Sequence, residues 1–165
     1  MPFTPFHFGP VLFAKGLCPN RAWVIPFIIA NVLVDCEVLY RLRFSLKPIH
    51  HLCHTYIGGA VIGSLAAFIW YFVITRTSRN GLVRRFLIRP DSSTRSLLID
   101  SVVSGVIGGV SHVFLDSLMH ADMHPFWPFA LGNSLAGLIG VGLLHILLAA
   151  SGFFGLILWL LMREP

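Results

Sequence analysis

His112, Asp116 and His120 recur every four residues in Ser111-His112-Val113-Phe114-Leu115-Asp116-Ser117-Leu118-Met119-His120-Ala121-Asp122-Met123-His124. Residues four apart on an α-helix stand above one another, so this spacing lines the three side chains along one face. Imidazole and carboxylate donors converging in this way suit zinc, manganese or iron. A single His or Asp in an apolar helix reads as a hydrogen-bond partner of a neighbouring helix. A whole row of ionisable groups in hydrocarbon is costly and marks function.

The elements that must carry this row are membrane helices. Hydrophobic residues make up 56% of the 165 residues and charged residues 12%. With a mean hydropathy of +0.80, the chain departs far from the ~25% charge of soluble domains. The segments Ala22 to Tyr40, Ile57 to Ile74 and Leu97 to Met119 each approach the ~20 residues that cross ~30 Å of hydrocarbon. Leu135 to Met162 is longer, which implies tilt or extension beyond the bilayer. Phe6 to Leu17 rises only about 18 Å as a helix and contains Pro10. It is expected to be re-entrant or half-embedded and to pair with the next helix across the breaker Gly16-Leu17-Cys18-Pro19-Asn20. The expected fold is therefore all-α: a polytopic transmembrane helical bundle of four long membrane helices plus this short N-terminal one, in a single integral membrane domain over residues 1–165. A chain of this length has no room for a separate catalytic domain, so any chemistry must use the bundle. The opening Met1-Pro2-Phe3-Thr4-Pro5-Phe6-His7 lacks the basic n-region of a cleavable signal peptide.

The formal charge of +5 does not point to nucleic acid, because the basic residues lie between apolar segments and not along an aromatic-laced face. They set topology. Arg76, Arg79, Arg84, Arg85, Arg89 and Arg95 oppose only Asp91 between Thr75 and Ser96, an excess that should hold this connection in the cytoplasm. Lys15, Arg21 and Arg163 fall on the same side, and outweigh Arg41, Arg43 and Lys47 on the other. The opposite, extracytoplasmic side then receives the N-terminus and the loops Arg41 to Tyr56 and His120 to Ser134.

That arrangement brings seven of the eight His residues to one membrane face. His7 opens the short helix, and Asp35 and Glu37 close the next one. Asn31 and Asp35 share a face, whereas Glu37 points away from Asp35. His50 and His54 sit four apart before the following helix, and His112 and Asp116 approach the end of theirs. The expected metal shell is His7, Asp35, His50, His54, His112 and Asp116, and Glu37, His120 and Asp122 are expected to carry protons. Six ligands exceed the usual three of one catalytic zinc, so either two ions bind or some members orient others. His145 reads as a packing residue and Asp100 as the partner of a nearby Arg. Cys18, Cys36 and Cys53 lack CxxC spacing; Cys36 and Cys53 are either a disulfide or two buried thiols. Gly58-Gly59, Gly63, Gly105, Gly108-Gly109, Gly137 and Gly140 suit close helix packing. Phe126-Trp127-Pro128-Phe129 reads as an interfacial anchor or a substrate-binding rim.

Taken together, His7, Val34-Asp35-Cys36-Glu37, His50-His51-Leu52-Cys53-His54-Thr55, Gly109-Val110-Ser111-His112-Val113-Phe114-Leu115-Asp116 and Pro125-Phe126-Trp127-Pro128 resemble the membrane-bound metal-dependent hydrolases of bacterial inner membranes, also described as LexA-binding inner-membrane hydrolases. The resemblance runs from His7 to Pro128. It departs at Val34-Asp35-Cys36-Glu37, where the family has Pro-Asp-x-Asp, and at His50 to His54, where the family's His-Arg-Gly-x-Thr-His run is compressed. It implies a metal site at Asp35, His54, His112 and Asp116, with Glu37 and His50 at the departing positions, and a bacterial inner-membrane location. The expectation is a hydrolase with one or two divalent ions, zinc foremost, that acts at headgroup depth on a lipid or lipid-linked phosphoester or ester. A metal or proton transporter, or a structural, partner-binding membrane protein, would use the same residues differently.

Overall fold

Apolar periodicity and chain breakers set the element order. The computed structural model describes residues 4–17, 24–77 and 93–162. A 3-10 turn at Thr4–Phe8 leads into α1 (Gly9–Leu17), followed by α2 (Val24–Arg43), α3 (Tyr56–Thr77), α4 (Thr94–Met119) and α5 (Val141–Met162), and no strand occurs among the described residues. The breaker at Cys18 to Asn20, most of the Arg-rich connection, and Arg163 lie outside the described residues.

Among the described residues, three helices are long and apolar enough to cross a membrane: Tyr56–Thr77, Arg95–Met119 and Val141–Met162. The expected fourth, α2, has the length but not the composition, because Asp35, Glu37, Arg41 and Arg43 load its second half and each is costly in hydrocarbon. The segment expected from Leu135 becomes helical only at Val141. Gly137, at φ 80, belongs to the preceding turn and not to a helix seam, and a Cβ there would meet nothing within 4 Å.

The short helix also finds a different partner. Instead of pairing with α2, α1 packs chiefly on α5, because Gly9 lies on the Leu148 carbonyl and Ser151, and Gly16 lies on the Gly155 backbone and Leu158. A larger side chain at either glycine would force the helices apart. The same device joins α3 to α4: a Cβ on Gly63 would strike the Gly105 carbonyl, and one on Gly109 would strike that of Gly59. The helix α2 lies across this pair, with Phe27, Ala30 and Val34 buried. Trp70, Ile74 and Leu97 close one end of the bundle. At the other end, Leu115 and Leu118 of α4 meet Leu144 and Leu148 of α5. The outer faces stay apolar, as at Phe68 and Phe72 on α3 and Phe153 and Leu161 on α5, which suits contact with lipid.

The turn before α1, the end of α2, the start of α3 and the end of α4 all meet at that second end. Thr55 caps α3, its Oγ1 accepting from Gly58 N at 2.9 Å, and the Tyr56 amide donates to Pro125 O at 2.9 Å. The orphan carbonyls at the end of α4 are taken by the returning loop: Asn133 Nδ2 donates to Ser117 O at 2.7 Å and His120 O at 2.8 Å.

A candidate metal centre at one end of the bundle

Four side chains from three elements converge there. Asp35 of α2, His54 before α3, and His112 and Asp116 of α4 each offer a donor atom, all within 4.8 Å of one another. His112 Nε2 stands 3.3 Å from Asp35 Oδ1 and 3.4 Å from Asp116 Oδ2, and His54 Nε2 stands 3.6 Å from the same Asp116 oxygen. Apart from Asp35, these side chains are buried.

Hydrogen bonds fix which ring nitrogens face inward. Asn31 Nδ2 donates to Phe27 O at 2.9 Å and Gly108 O at 3.3 Å, so its Oδ1 accepts from His112 Nδ1 at 3.0 Å. Glu37 Oε2 lies 3.0 Å from His54 Nδ1 and accepts from it. With Nδ1 donating in both rings, Nε2 is the nitrogen of each that faces the carboxylates. The ring nitrogens His54 Nε2 and His112 Nε2, and both nitrogens of His7, are buried without a hydrogen-bond partner among the described residues. Facing anionic oxygens, each of these nitrogens either carries a second proton or shares a cation with them. The separations of 3.3–3.6 Å exceed the ~2.7–2.9 Å of charge-assisted hydrogen bonds. They match the ~3.3–3.5 Å edge of a tetrahedron with ~2.0–2.1 Å metal bonds. Two carboxylates and two neutral imidazoles also balance a divalent charge in an apolar setting. The residues therefore fit a four-coordinate divalent ion.

His7 and Glu37 flank this tetrad. His7 Nε2 lies 3.3 Å from Asp116 Oδ1, the carboxylate oxygen turned away from His54, and its ring centroid is 4.5 Å from that of His112. Glu37 does not point away from the site as helical geometry suggested, because the 51–54 turn wraps over it. Beyond His54 it accepts from His51 N at 3.1 Å and Cys53 N at 3.0 Å. Burial raises its pKa, but the His54 and backbone hydrogen bonds outweigh that and hold the carboxyl down to about 2. It is a carboxylate that fixes the orientation of the His54 ring. Asn31 does the same for His112, a role marked in the sequence only by an amide in an apolar helix.

His50, expected among these ligands, joins a second group with His120 and Asp122. The helical row breaks because α4 ends at Met119: His120 is its C-cap, at φ −116 and ψ 110, and turns out of line with Asp116. His50 Nδ1 lies 3.0 Å from Asp122 Oδ2. A cavity of ≈ 250 Å³ opens beside this group, lined by His50, His51, Thr55, His124, Trp127 and Leu131 among others. Trp127, Phe129 and Leu131 project from the same loop into the surroundings. His124 Nδ1 accepts from Gly132 N at 2.7 Å and contributes to neither group. His145 lies apart, its Nδ1 on Val141 O and its ring edge-on to Phe6. Cys36 and Cys53 are free thiols, and burial with the Glu37 charge raises Cys53 to about 11.

No curated protein and no solved structure matches this chain. From residue 1 to 164 it matches the family model described as Domain of unknown function (DUF4184), and the chain belongs to that family.

Proposed function

We propose that this chain is a membrane-embedded, metal-dependent hydrolase whose centre is Asp35, His54, His112 and Asp116. One observation carries the reading: the Nε2 atoms of His54 and His112 are buried, have no hydrogen-bond partner among the described residues, and stand 3.3–3.6 Å from carboxylate oxygens. The resemblance to membrane-bound metal-dependent hydrolases supports it from the sequence side, and with it a bacterial inner-membrane location. Zinc suits the donor set best. Because four protein donors already satisfy a four-coordinate ion, a divalent ion bound there would have to accept water as an additional ligand; it would lower the pKa of that water toward ~7 and polarise a carbonyl or phosphoryl oxygen.

The chain's own residues do the rest. Glu37 and Asn31 hold the two ligand rings by their Nδ1 atoms, which keeps the Nε2 atoms on target without rearrangement. His7 abuts the outer oxygen of Asp116 and has both ring nitrogens without a partner, so it is better situated than Glu37 to accept a proton from an attacking water. His112, His54 and Asp116 are buried, at 0%, 1% and 4% exposure, and burial away from bulk water strengthens every charge interaction among them. The cavity beside His50 combines imidazoles with Leu52, Trp127 and Leu131, which suits an amphiphile: a lipid or lipid-linked phosphoester or ester that presents its polar bond to the histidines. The excess of Arg in the sequence between α3 and α4 supports an extracytoplasmic position for this end.

The test is a screen of phosphodiester, phosphomonoester and carboxylic ester substrates, lipid-linked ones included, with zinc or manganese. Wild-type protein is expected to hydrolyse one class. Asp116→Asn, similar in size but one charge poorer, should fall at least 100-fold while eluting as the same monodisperse species. A metal-replete wild type inactive on every class, or a fully active Asp116→Asn, overturns the proposal in favour of a structural or transport role.

A further inference from the structure

We infer that His50, His120 and Asp122 form a second divalent-cation site, outer and weaker than the deep centre, from which that centre is loaded. The inference rests on the metal reading above for its purpose, but it shares no ligand with the deep centre.

Two imidazoles and one carboxylate are the protein ligands of many catalytic zinc sites, and they leave further positions for water. Here the donor atoms of all three lie within 4.8 Å of one another. His50 Nδ1 faces both oxygens of Asp122, at 3.2 and 3.0 Å, and the His120 ring lies 4.3 Å from that of His50 with 31° between their planes. A simple His50–Asp122 ion pair accounts for two of these groups and leaves the half-buried His120 beside them unexplained.

The backbone under the cluster is already ordered. His120 N donates to Asp116 O at 2.9 Å, and its carbonyl accepts from Asn133. His50 follows Pro48, whose carbonyl accepts from Arg41. An ion binding here would not need to order a loop, so little affinity is lost to ordering.

Exposure differs between the two centres. Asp122 keeps 45% of its side chain in solvent and His50, itself buried, lines the open cavity, whereas in the deep centre His112, His54 and Asp116 are 0%, 1% and 4% exposed and only Asp35 is partly exposed, at 28%. A hydrated ion arriving from the cavity meets His50 before any donor of the deep centre. The His50 ring contacts the His54 ring at 4.8 Å, and His54 Nε2 belongs to the deep centre. One step inward therefore passes an ion from the outer donors to the inner ones.

Chelator-stripped protein in detergent, dialysed against excess zinc and analysed for metal, decides the matter, together with stopped-flow competition against a chromogenic chelator. Wild type is expected to hold a rapidly exchanging and a slowly exchanging ion. Asp122→Asn should lose the fast ion, keep the slow one, and load it at least tenfold more slowly. His112→Ala should do the reverse, losing the slow ion and keeping the fast one. The retained slow ion shows that Asp122→Asn is folded; if that variant fails to elute as one species, His120→Gln serves in its place. A wild type with the slow ion alone, or a fast ion that survives both substitutions, overturns the outer site and leaves the deep centre standing. A fast ion without a slow one overturns the deep centre, and loading with it. No bound ion overturns both.

Discussion

Glu37→Gln removes one charge and almost no volume from the group that holds His54. The Glu37 oxygen accepts from His54 Nδ1, Cys53 N and His51 N at 3.0, 3.0 and 3.1 Å. Hydrogen bonds to a charged acceptor contribute ~1.5–3 kcal/mol each, against ~1 kcal/mol for neutral pairs. Gln retains a carbonyl oxygen for some of them, so the fold should lose on the order of 2 kcal/mol and survive. The larger effect falls on the metal. Without the carboxylate, His54 is freer to rotate and is a poorer base, and affinity should drop about 10- to 100-fold, or ~1.4–2.7 kcal/mol. Competition against a chromogenic chelator at pH 7 measures this directly.

The same substitution carries a pH signature. The folded pKa of Glu37, about 2, lies below its ordinary 4.5, so the native state prefers the ionised form. Its stabilisation is fully present above pH ~4.5 and is lost as pH falls from there toward ~2. Melting in detergent should therefore show wild type losing its advantage over Glu37→Gln within that window and not at higher pH. A Glu37→Gln protein with wild-type metal affinity, where His54→Ala has lost the ion, would refute the reasoning: His54 would then need no orienting partner.

Gly105→Leu should separate α3 from α4, because a side chain there meets the Gly63 carbonyl; overpacking costs ~1–3 kcal/mol, read as a fall of several degrees in Tm together with weaker metal retention. An unchanged Tm would show that the glycine seam is not the close contact described. In a background without native cysteines, a cysteine at Ala130 should react with an impermeant label from outside the cell and one at Asn80 should not; the reverse pattern moves the metal centre to the cytoplasmic face.

Much of the molecule was legible in the sequence because its signals are local. Apolar length alone marks α3, α4 and α5 as able to cross a membrane, and a four-residue interval alone puts His112 and Asp116 on one face. The end-to-end alternation of helices likewise brings His7, Asp35 and His54 to the same end as that pair. Asn133 gave no comparable signal, since its part depends on which carbonyls a returning loop happens to reach.

What remained was decided by the approach of segments distant in the chain. Hydropathy does not say which helix a glycine will face, so the pairing of α1 with α5 required the contacts of Gly9, Gly16 and Gly155. Helical periodicity assumes that the helix continues, and it fails at His120, where α4 ends and the side chain passes to a second cluster with His50 and Asp122. Periodicity also sets Glu37 opposite Asp35, but a carboxylate on the far face of α2 can still serve the site when the His51 to His54 turn folds over to meet it. Spacing along the chain therefore determined which side chains could be ligands. The close approach of backbones and the points where helices stop determined which of them share a centre, because both depend on steric contacts and hydrogen bonds that exist only once the chain has folded.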